Sequence, residues 1–195
     1  VGSEMCIRDR IPYINRNLYY FAGKDVWKTL FDLEAMRPGM VLLSAQAPDG
    51  DPAWCDVVTL MTPVATRPWK AWEGSAPGRR PEAYTALKAA MTQATVDFAC
   101  ARLPELRDAI AHTYAATPLT YRHYTGAPHG AAYGLLKDWR SIMASHIPAR
   151  TKFDNLLLTG QNLTVHGAIG VTLSAAATCS EIVGTEYLAK KIANA

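Results

Sequence analysis

The stretch that decides the fold is residues 155–183, which read NLLLTGQNLTVHGAIGVTLSAAATCSEIV. Residues 155–159 are short and apolar, which is typical of a buried strand, and a glycine-containing turn follows. Residues 168–183 are apolar on nearly every side, as expected of a helix inside a large domain. The beginning of that helix, from Gly167 to Gly170, would expose backbone N–H groups and a positive dipole end. The pattern therefore predicts a contact for an anionic or electron-rich cofactor group.

Composition limits the class of protein. The chain has 195 residues, of which 49% are hydrophobic, enough for a sizeable core in one or two domains. Its net charge of +3 is scattered along the sequence, so nucleic acid is excluded as an expected partner. No run approaches the roughly 20 apolar residues of a membrane span. The cysteines are far apart and lack CxxC spacing, so we expect reduced, mostly buried thiols and no metal site: Cys6, Cys55, Cys100 and Cys179.

Residues 1–10, VGSEMCIRDR, resemble the peptide obtained when a short-read sequencing adapter is translated in frame. We therefore interpret them as a non-native, adapter-derived segment and place them outside the fold. On this interpretation the natural sequence begins near Ile11 and an upstream part of the protein is missing.

The first half of the chain predicts an antiparallel sheet. Residues 11–21, 40–46 and 56–63 are β-branched or aromatic runs of strand length. We expect a short helix at residues 26–33 and a turn at residues 48–52, where Pro, Asp and Gly cluster.

Helical signals dominate the middle of the chain. Trp69 and Trp72 lie in a loop rich in Trp, Gly and Pro, which predicts anchoring in the core, with the lining of a pocket as the alternative. Pro81 begins the clearest helix. A short helix near residues 104–110 and an extended segment at residues 112–116 should follow. The apolar stripe expected to pack on the sheet comprises Tyr84, Leu87, Met91, Ala94 and Phe98.

Residues 120–134 combine tyrosines with glycines, a composition suited to a loop that a flat ligand approaches closely. Tight turns alone would also explain these glycines. Beyond the long helix, Gly184 provides a cap, and Thr185 begins a last helix whose Lys190 and Lys191 should lie on a solvated face.

Motifs for hydrolases and nucleoside triphosphatases are not found: the sequence has no GxSxG, HExxH, CxxC or P-loop lysine motif. His166 is a candidate base, with a structural hydrogen-bonding role as the alternative. Composition and spacing alone thus indicate a globular α/β or α+β chain with a cofactor-contacting helix end.

Two motifs resemble a known family. LLLTGQNLTVHGAIGVTLSAAATCSEI, residues 156–182, is similar to the C-terminal flavin-contacting motif of the phytoene desaturase and retinol saturase (carotenoid isomerase-like) family of FAD-dependent oxidoreductases. TPLTYRHYTGAPHGAAYG, residues 117–134, resembles that family's upstream motif, and the order and spacing agree. The resemblance runs over residues 11–195 and is densest after Thr117.

The resemblance implies the C-terminal part of a two-domain enzyme. Residues 11–148 would be part of the substrate-binding domain, an antiparallel sheet with covering helices. Residues 149–195 would supply the last strand and helix of a Rossmann-type FAD domain. The family holds the ADP half of FAD with an N-terminal GxGxxG that this chain lacks. The implied partner is therefore a missing N-terminal part of the same enzyme, and the fragment should be inactive alone.

The resemblance also implies roles for residues. The turn at Gly160 and Gln161 matches the site of the pyrophosphate and ribityl chain, and residues 167–171 match the helix start beneath the isoalloxazine ring. The implied FAD contacts are Gly160, Gln161, Asn162, His166, Gly167, Ala168, Ile169, Gly170 and Val171. The implied substrate contacts are Tyr121, Tyr124, Gly126, Gly130 and Tyr133, and the catalytic candidates are Tyr124, Tyr133 and His166.

The implied reaction is hydride exchange between FAD and a carbon of an apolar polyene, carotenoid or retinoid-like, which saturates, desaturates or isomerises C=C bonds. NAD(P) is the candidate electron partner. A cytoplasmic location is expected, with peripheral membrane association as the alternative. Two other functions stay open: an amine-oxidase-like flavoenzyme and a non-catalytic module that binds an apolar ligand.

Overall fold

The structure is a computed structural model that describes residues 2–7, 11–31, 37–47 and 53–194. The chain forms two compact units, Val1–Gly130 and Ala131–Ala195. The predicted turn at residues 48–52 and the end of the predicted helix at residues 26–33 lie outside the described residues. The described part of that helix is α1 (Val26–Phe31).

The first unit contains an antiparallel sheet, as predicted. Its strand order is β2-β3-β4-β1-β5, and every described pairing is antiparallel. The run at residues 11–21 forms a strand only at its end. The strands are β1 (Gly2–Ile7), β2 (Leu18–Phe21), β3 (Met40–Gln46), β4 (Val57–Met61) and β5 (Ile110–Ala116).

The first strand comes from a segment that the sequence places outside the native fold. The backbone of Gly2–Ile7 pairs with β4 on one side and with β5 on the other, with an irregularity between Cys6 and Ile7. Main-chain hydrogen bonds of a ladder carry no side-chain specificity, so any extended segment can satisfy the two strand edges. The adapter-derived origin of residues 1–10 stays a prediction.

One face of the sheet forms the larger core. Along β3 the side chains alternate, with Val41 and Leu43 buried and Leu42 half-buried. This period of two places the buried set against helix α2 (Glu82–Cys100), whose Val96 and Ala99 join the same cluster. Full burial of a valine or leucine side chain stabilises the folded state by roughly 1.5–3 kcal/mol.

A second cluster forms around Trp69, which is 2% exposed and lies in the 3-10 turn Arg67–Trp72. Its ring meets Tyr84 edge to face at a centroid distance of 5.6 Å, and Met91 and Leu119 complete the cluster. The prediction that Trp69 is anchored in the core is confirmed. Of the stripe predicted on α2, Tyr84 and Met91 are buried, but in this second cluster rather than in the larger core on the sheet. The other members, Leu87, Ala94 and Phe98, are half-buried.

The prediction of a loop at residues 120–134 is wrong for residues 120–125, which belong to a helix. After α3 (Leu106–Ala109) and β5, the chain forms helix α4 (Pro118–Thr125). Thr117 and Thr120 make a reciprocal capping box, with Pro118 in the first turn, which starts the helix locally. Gly126 ends it in the left-handed conformation.

The second unit contains α5 (Ile142–Ser145), α6 (Gly167–Val183) and α7 (Thr185–Ala193). The predicted long helix, its Gly184 cap and the last helix are confirmed. The predicted strand at residues 155–159 is wrong here, since only Leu157 makes a bridge, to Arg150. A strand buried on both faces needs a neighbour on each side, and the described residues of this unit contain no strand to supply one. A Rossmann-type fragment is accordingly not confirmed.

Gly130 and Gly78 provide a matched test of packing around α4. Both have positive φ, 71° and 76°, but an added Cβ at Gly130 would overlap the carbonyl of Pro118 while one at Gly78 would meet open space. We expect Gly78→Ala to lower the free energy of unfolding by about 1–2 kcal/mol through backbone strain. Gly130→Ala should cost about 2–5 kcal/mol, because overpacking adds to the strain. Urea unfolding measures both, and equal losses would contradict this account.

Candidate functional site

The beginning of α6 presents unpaired backbone donors. His166 precedes the helix with extended backbone (φ −91°, ψ 176°), and its side chain makes no capping hydrogen bond. The N–H groups of Gly167, Ala168 and Ile169 come before the first bond from residue i to residue i−4, so they have no acceptor inside the helix. The first turn contains no acidic residue. The positive end of the helix is thus left open to an anionic or electron-rich group.

Gly167 and Gly170 differ in what surrounds them. Gly167 has φ +78°, and a Cβ added there would meet nothing within 4 Å. Gly170 is buried, and a Cβ there would overlap the backbone carbonyl of Val165. The close contact with Val165 therefore explains why residue 170 is a glycine. At Gly167 no described residue makes such a contact, and the space beside the helix has room for a ligand.

Hydroxyl groups of α6 hold the turn before it. The Gly160 N–H donates to Ser174 Oγ at 3.1 Å, and Ser174 is buried. Thr178 Oγ1 lies 2.8 Å from the carbonyl oxygen of Leu158 and donates to it. Neither Ser174 nor Thr178 was expected from the sequence to have a role at this site. Their signal was a pair of hydroxyl residues four apart in an otherwise apolar helix.

Lys137 fixes the opposite side of this loop. Its ammonium donates to three carbonyl oxygens, those of Ser145 at 2.7 Å, Asn162 at 2.5 Å and Leu163 at 3.0 Å. These bonds use all three donors of a lysine. The Asn162 side chain also has a partner within the chain, because its Oδ1 accepts from the Leu135 N–H at 2.9 Å. Asn162 thus has a structural role, and Lys137 is a site-supporting residue that the sequence did not indicate.

Two of the three catalytic candidates lie together. The rings of Tyr133 and His166 are tilted by 36° with their centroids 4.6 Å apart, and both residues are exposed. The third candidate, Tyr124, belongs to the first unit, is 73% exposed and meets His123 edge to face. The exposed ring pair beside the open helix end gives the second unit a cluster of polar groups able to contact a flat ligand.

The other predicted substrate contacts have local explanations. Gly126 ends α4 and Gly130 packs on Pro118. Tyr121 is half-buried on α4. These positions fit the alternative that the glycines serve tight turns, and their contact with substrate stays a prediction.

The surface of α6 is apolar and exposed. Ile169 is 79% exposed, Leu173 58% and Ile182 70%. The prediction of a helix that is apolar on nearly every side agrees with this surface, but much of it is exposed here rather than covered by a large domain. A large exposed apolar surface marks a place where a protein or a ligand binds.

Two of the described cysteines, Cys55 and Cys100, are buried. Burial is the largest cause that raises the pKa of the Cys55 and Cys100 thiols, so each carries less thiolate at neutral pH than a free cysteine. Cys179 is a free, exposed thiol on α6. The expectation of mostly buried thiols agrees with Cys55 and Cys100.

Comparison with known proteins points to one group. The chain is 29% identical over 187 residues to human all-trans-retinol 13,14-reductase, a match that covers 89% of this chain and 30% of that protein. It is 30% identical over 143 residues to the enzyme of the same name from Macaca fascicularis, covering 68% and 23%. A Danio rerio protein named inactive all-trans-retinol 13,14-reductase is 28% identical over 58% of this chain and 19% of its own length. No family model matches.

These matches confirm the predicted resemblance to a retinol saturase-like family. The chain spans less than a third of the length of the curated relatives that it matches.

Replacement of Lys137 by Met tests whether its ammonium holds the loop. Net hydrogen bonds to a charged group are worth about 1.5–3 kcal/mol, which corresponds to roughly tenfold or more in local opening. The amide of Ile147, bonded to the Leu163 carbonyl at 3.1 Å, should therefore exchange its hydrogen about tenfold faster in Lys137→Met. Lys152→Met is the control, because Lys152 is exposed. Equal exchange in the two variants would remove Lys137 from this role.

Proposed function

We propose that the chain is part of an FAD-dependent oxidoreductase that acts on C=C bonds of a retinoid-like polyene. The observation that carries the proposal is the open beginning of α6, where the N–H groups of Gly167, Ala168 and Ile169 have no acceptor inside the helix and His166 makes no side-chain cap. It lies within the motif that resembles the flavin-contacting segment of the family. The named relatives act on all-trans-retinol at positions 13 and 14 according to their names, which supports this substrate class.

The residues present fit a flavin at this helix end. Open space beside Gly167 allows a planar ring to approach the backbone. The amides of Ala168 and Ile169, with the helix dipole, would stabilise negative charge on that ring. FAD would supply the hydride exchange, with NAD(P) as the electron source for saturation. Tyr133 and His166 would border the ring, and one of them could hold the proton that the second carbon of a saturated bond receives.

Apolar surfaces support an apolar substrate and further protein contacts. We propose that the exposed apolar side of α6 packs on the remainder of the FAD domain, where residues 155–159 would find strand partners. The face of the sheet opposite the core is lined by half-buried side chains, among them Leu42 and Met61, which lie opposite each other. That face is our candidate surface for the polyene. Among the described residues no helix is long and apolar enough to cross a membrane.

A charge placed in the first turn of α6 tests the flavin contact. Ala168→Asp should stabilise the helix by about 0.3–1 kcal/mol, because a carboxylate favours a helix N-terminus. The same carboxylate would occupy the donors and repel negative charge on the flavin, so we expect about tenfold weaker FAD binding or more. Thr185→Asp puts an equal charge in the first turn of α7 and should leave FAD content unchanged.

The protein expressed from its complete reading frame is the sample for this measurement, with flavin absorbance per folded protein as the readout. Full FAD content in Ala168→Asp would reject the helix end as the flavin contact.

The substrate class is tested by turnover. We expect flavin in the complete protein to be reduced by NAD(P)H or another donor and reoxidised by an all-trans polyene alcohol, with loss of one C=C bond detected by absorbance. Amines should not reduce the flavin. Turnover of amines alone would instead support the amine-oxidase-like alternative, and a protein that binds polyene but no flavin would support the non-catalytic module.

A further inference from the structure

A cavity in the first unit gathers cationic and hydroxyl groups that the proposed function does not use. It has a volume of about 340 Å³ and lies between the segment before α2, the beginning of α2, and α4. Its polar lining consists of Arg80, Thr85, Lys88, Thr120 and Tyr124. No carboxylate is among its lining residues in the described part of the chain.

The guanidinium of Arg80 is held by two contacts, but one of its nitrogens makes no hydrogen bond within the described residues. Its guanidinium carbon lies 4.4 Å from the centroid of the Tyr84 ring, and its Nη2 donates to the Leu119 carbonyl oxygen at 3.3 Å. Tyr84 is itself fixed, because its hydroxyl lies 2.8 Å from Thr117 Oγ1 in a buried hydrogen bond. Nη1 of Arg80 is buried and has no hydrogen-bond partner. A buried donor without an acceptor is costly, and a charged one more so.

Two acidic side chains of the first unit are already paired with arginine. Glu73 pairs with Arg122 at 3.1 Å, and Asp97 pairs with Arg107 at 3.0 Å. Two cationic side chains, Arg80 and Lys88, therefore line the cavity without a lining acid. Charge of one sign inside a concave surface attracts an oppositely charged ligand.

A larger cavity continues from this one along the same face of α2. Its volume is about 690 Å³, and it shares Thr85, Lys88 and Ala115 with the first. Its lining adds the apolar side chains of Val96 and Ile110 and also polar ones, among them Thr92, Gln93 and Arg107. The two cavities together offer an anion-binding end and a longer, partly apolar continuation.

We propose that this pair of cavities binds a small molecule with a carboxylate or phosphate group, the oxyanion lying between Arg80 and Lys88. The guanidinium of Arg80 and the ammonium of Lys88 supply positive charge at the cavity wall, and the hydroxyls of Thr120 and Tyr124 provide further donors. The body of the ligand extends past Lys88 into the larger cavity. The site lies within Val1–Gly130 and does not depend on flavin binding at α6.

Titration of the 195-residue chain without FAD, followed by NMR or calorimetry at low salt, tests the site. The probes are inorganic phosphate, acetate and octanoate. Octanoate should bind more tightly than acetate if the larger cavity receives the body of a carboxylate ligand. Phosphate binding more tightly than both carboxylates identifies a phosphate ligand instead. Absence of saturable binding by all three probes would overturn the proposal.

Two neighbouring arginines make a matched pair of variants. Arg80→Gln should weaken binding of the preferred probe by about tenfold or more, since one of the two cationic charges that line the cavity is lost. Arg79→Gln removes the same charge from an exposed side chain that does not line the cavity, and should leave binding unchanged. Equal weakening in both would show non-specific attraction and reject the site.

Lys88→Gln keeps the test decisive if Arg80→Gln unfolds the first unit. Circular dichroism checks the fold of each variant. A folded Lys88→Gln should bind the probe several-fold more weakly and with a smaller dependence on salt. Unchanged binding in that variant would likewise overturn the proposal.

Discussion

The close approach of Gly170 to the carbonyl of Val165 sets the geometry of the second unit. A side chain at Gly170 would overlap that carbonyl, so the chain can fold back tightly before α6 only with glycine at this position. The tight turn lets the helix begin at Gly167 without a side-chain cap from His166. The hydrogen bond from Gly160 to Ser174 and the three carbonyl contacts of Lys137 then hold the preceding loop. The open donors of α6 are thus a product of packing elsewhere in the unit.

The first unit is organised by a different constraint. The alternation of side chains along β3 and β4 gives these two strands one buried face, and α2 covers it with its C-terminal half. The N-terminal half of α2 passes beyond that core to the cluster around Trp69 and Tyr84. One helix therefore packs against two separate clusters. The two cavities lie mostly along the part of α2 that neither cluster covers.

Local signals allowed much of this fold to be predicted from the sequence. Runs of strand length rich in β-branched or aromatic residues identified β3 and β4, and proline followed by an apolar period identified α2. The capping box of α4 was also local, in Thr117 and Thr120, but the tyrosine and glycine content of the following residues favoured a loop. The prediction of a strand at residues 155–159 was wrong, because a strand requires hydrogen-bonded neighbours and a local pattern does not report whether they are present. Lys137 was missed because its three acceptors are distant in sequence.

The candidate site was predictable only as a motif. The sequence indicated the helix start and its glycines, and the structure separates Gly167, which faces open space, from Gly170, which packs on its own chain. Contact between the rings of Tyr133 and His166 joins residues 33 positions apart, and no periodic pattern reports such a distance. Resemblance to the retinol saturase-like family supplied the chemical interpretation that geometry alone could not.

The length of α6 sets a minimum dimension for whatever shields it from water. A helix of 17 residues extends for about 25 Å at 1.5 Å per residue, and its apolar side chains occur from the first turn to the last. A short peptide or a single small molecule would leave much of that length exposed to solvent. Only a surface of roughly the breadth of a small domain can shield the whole helix.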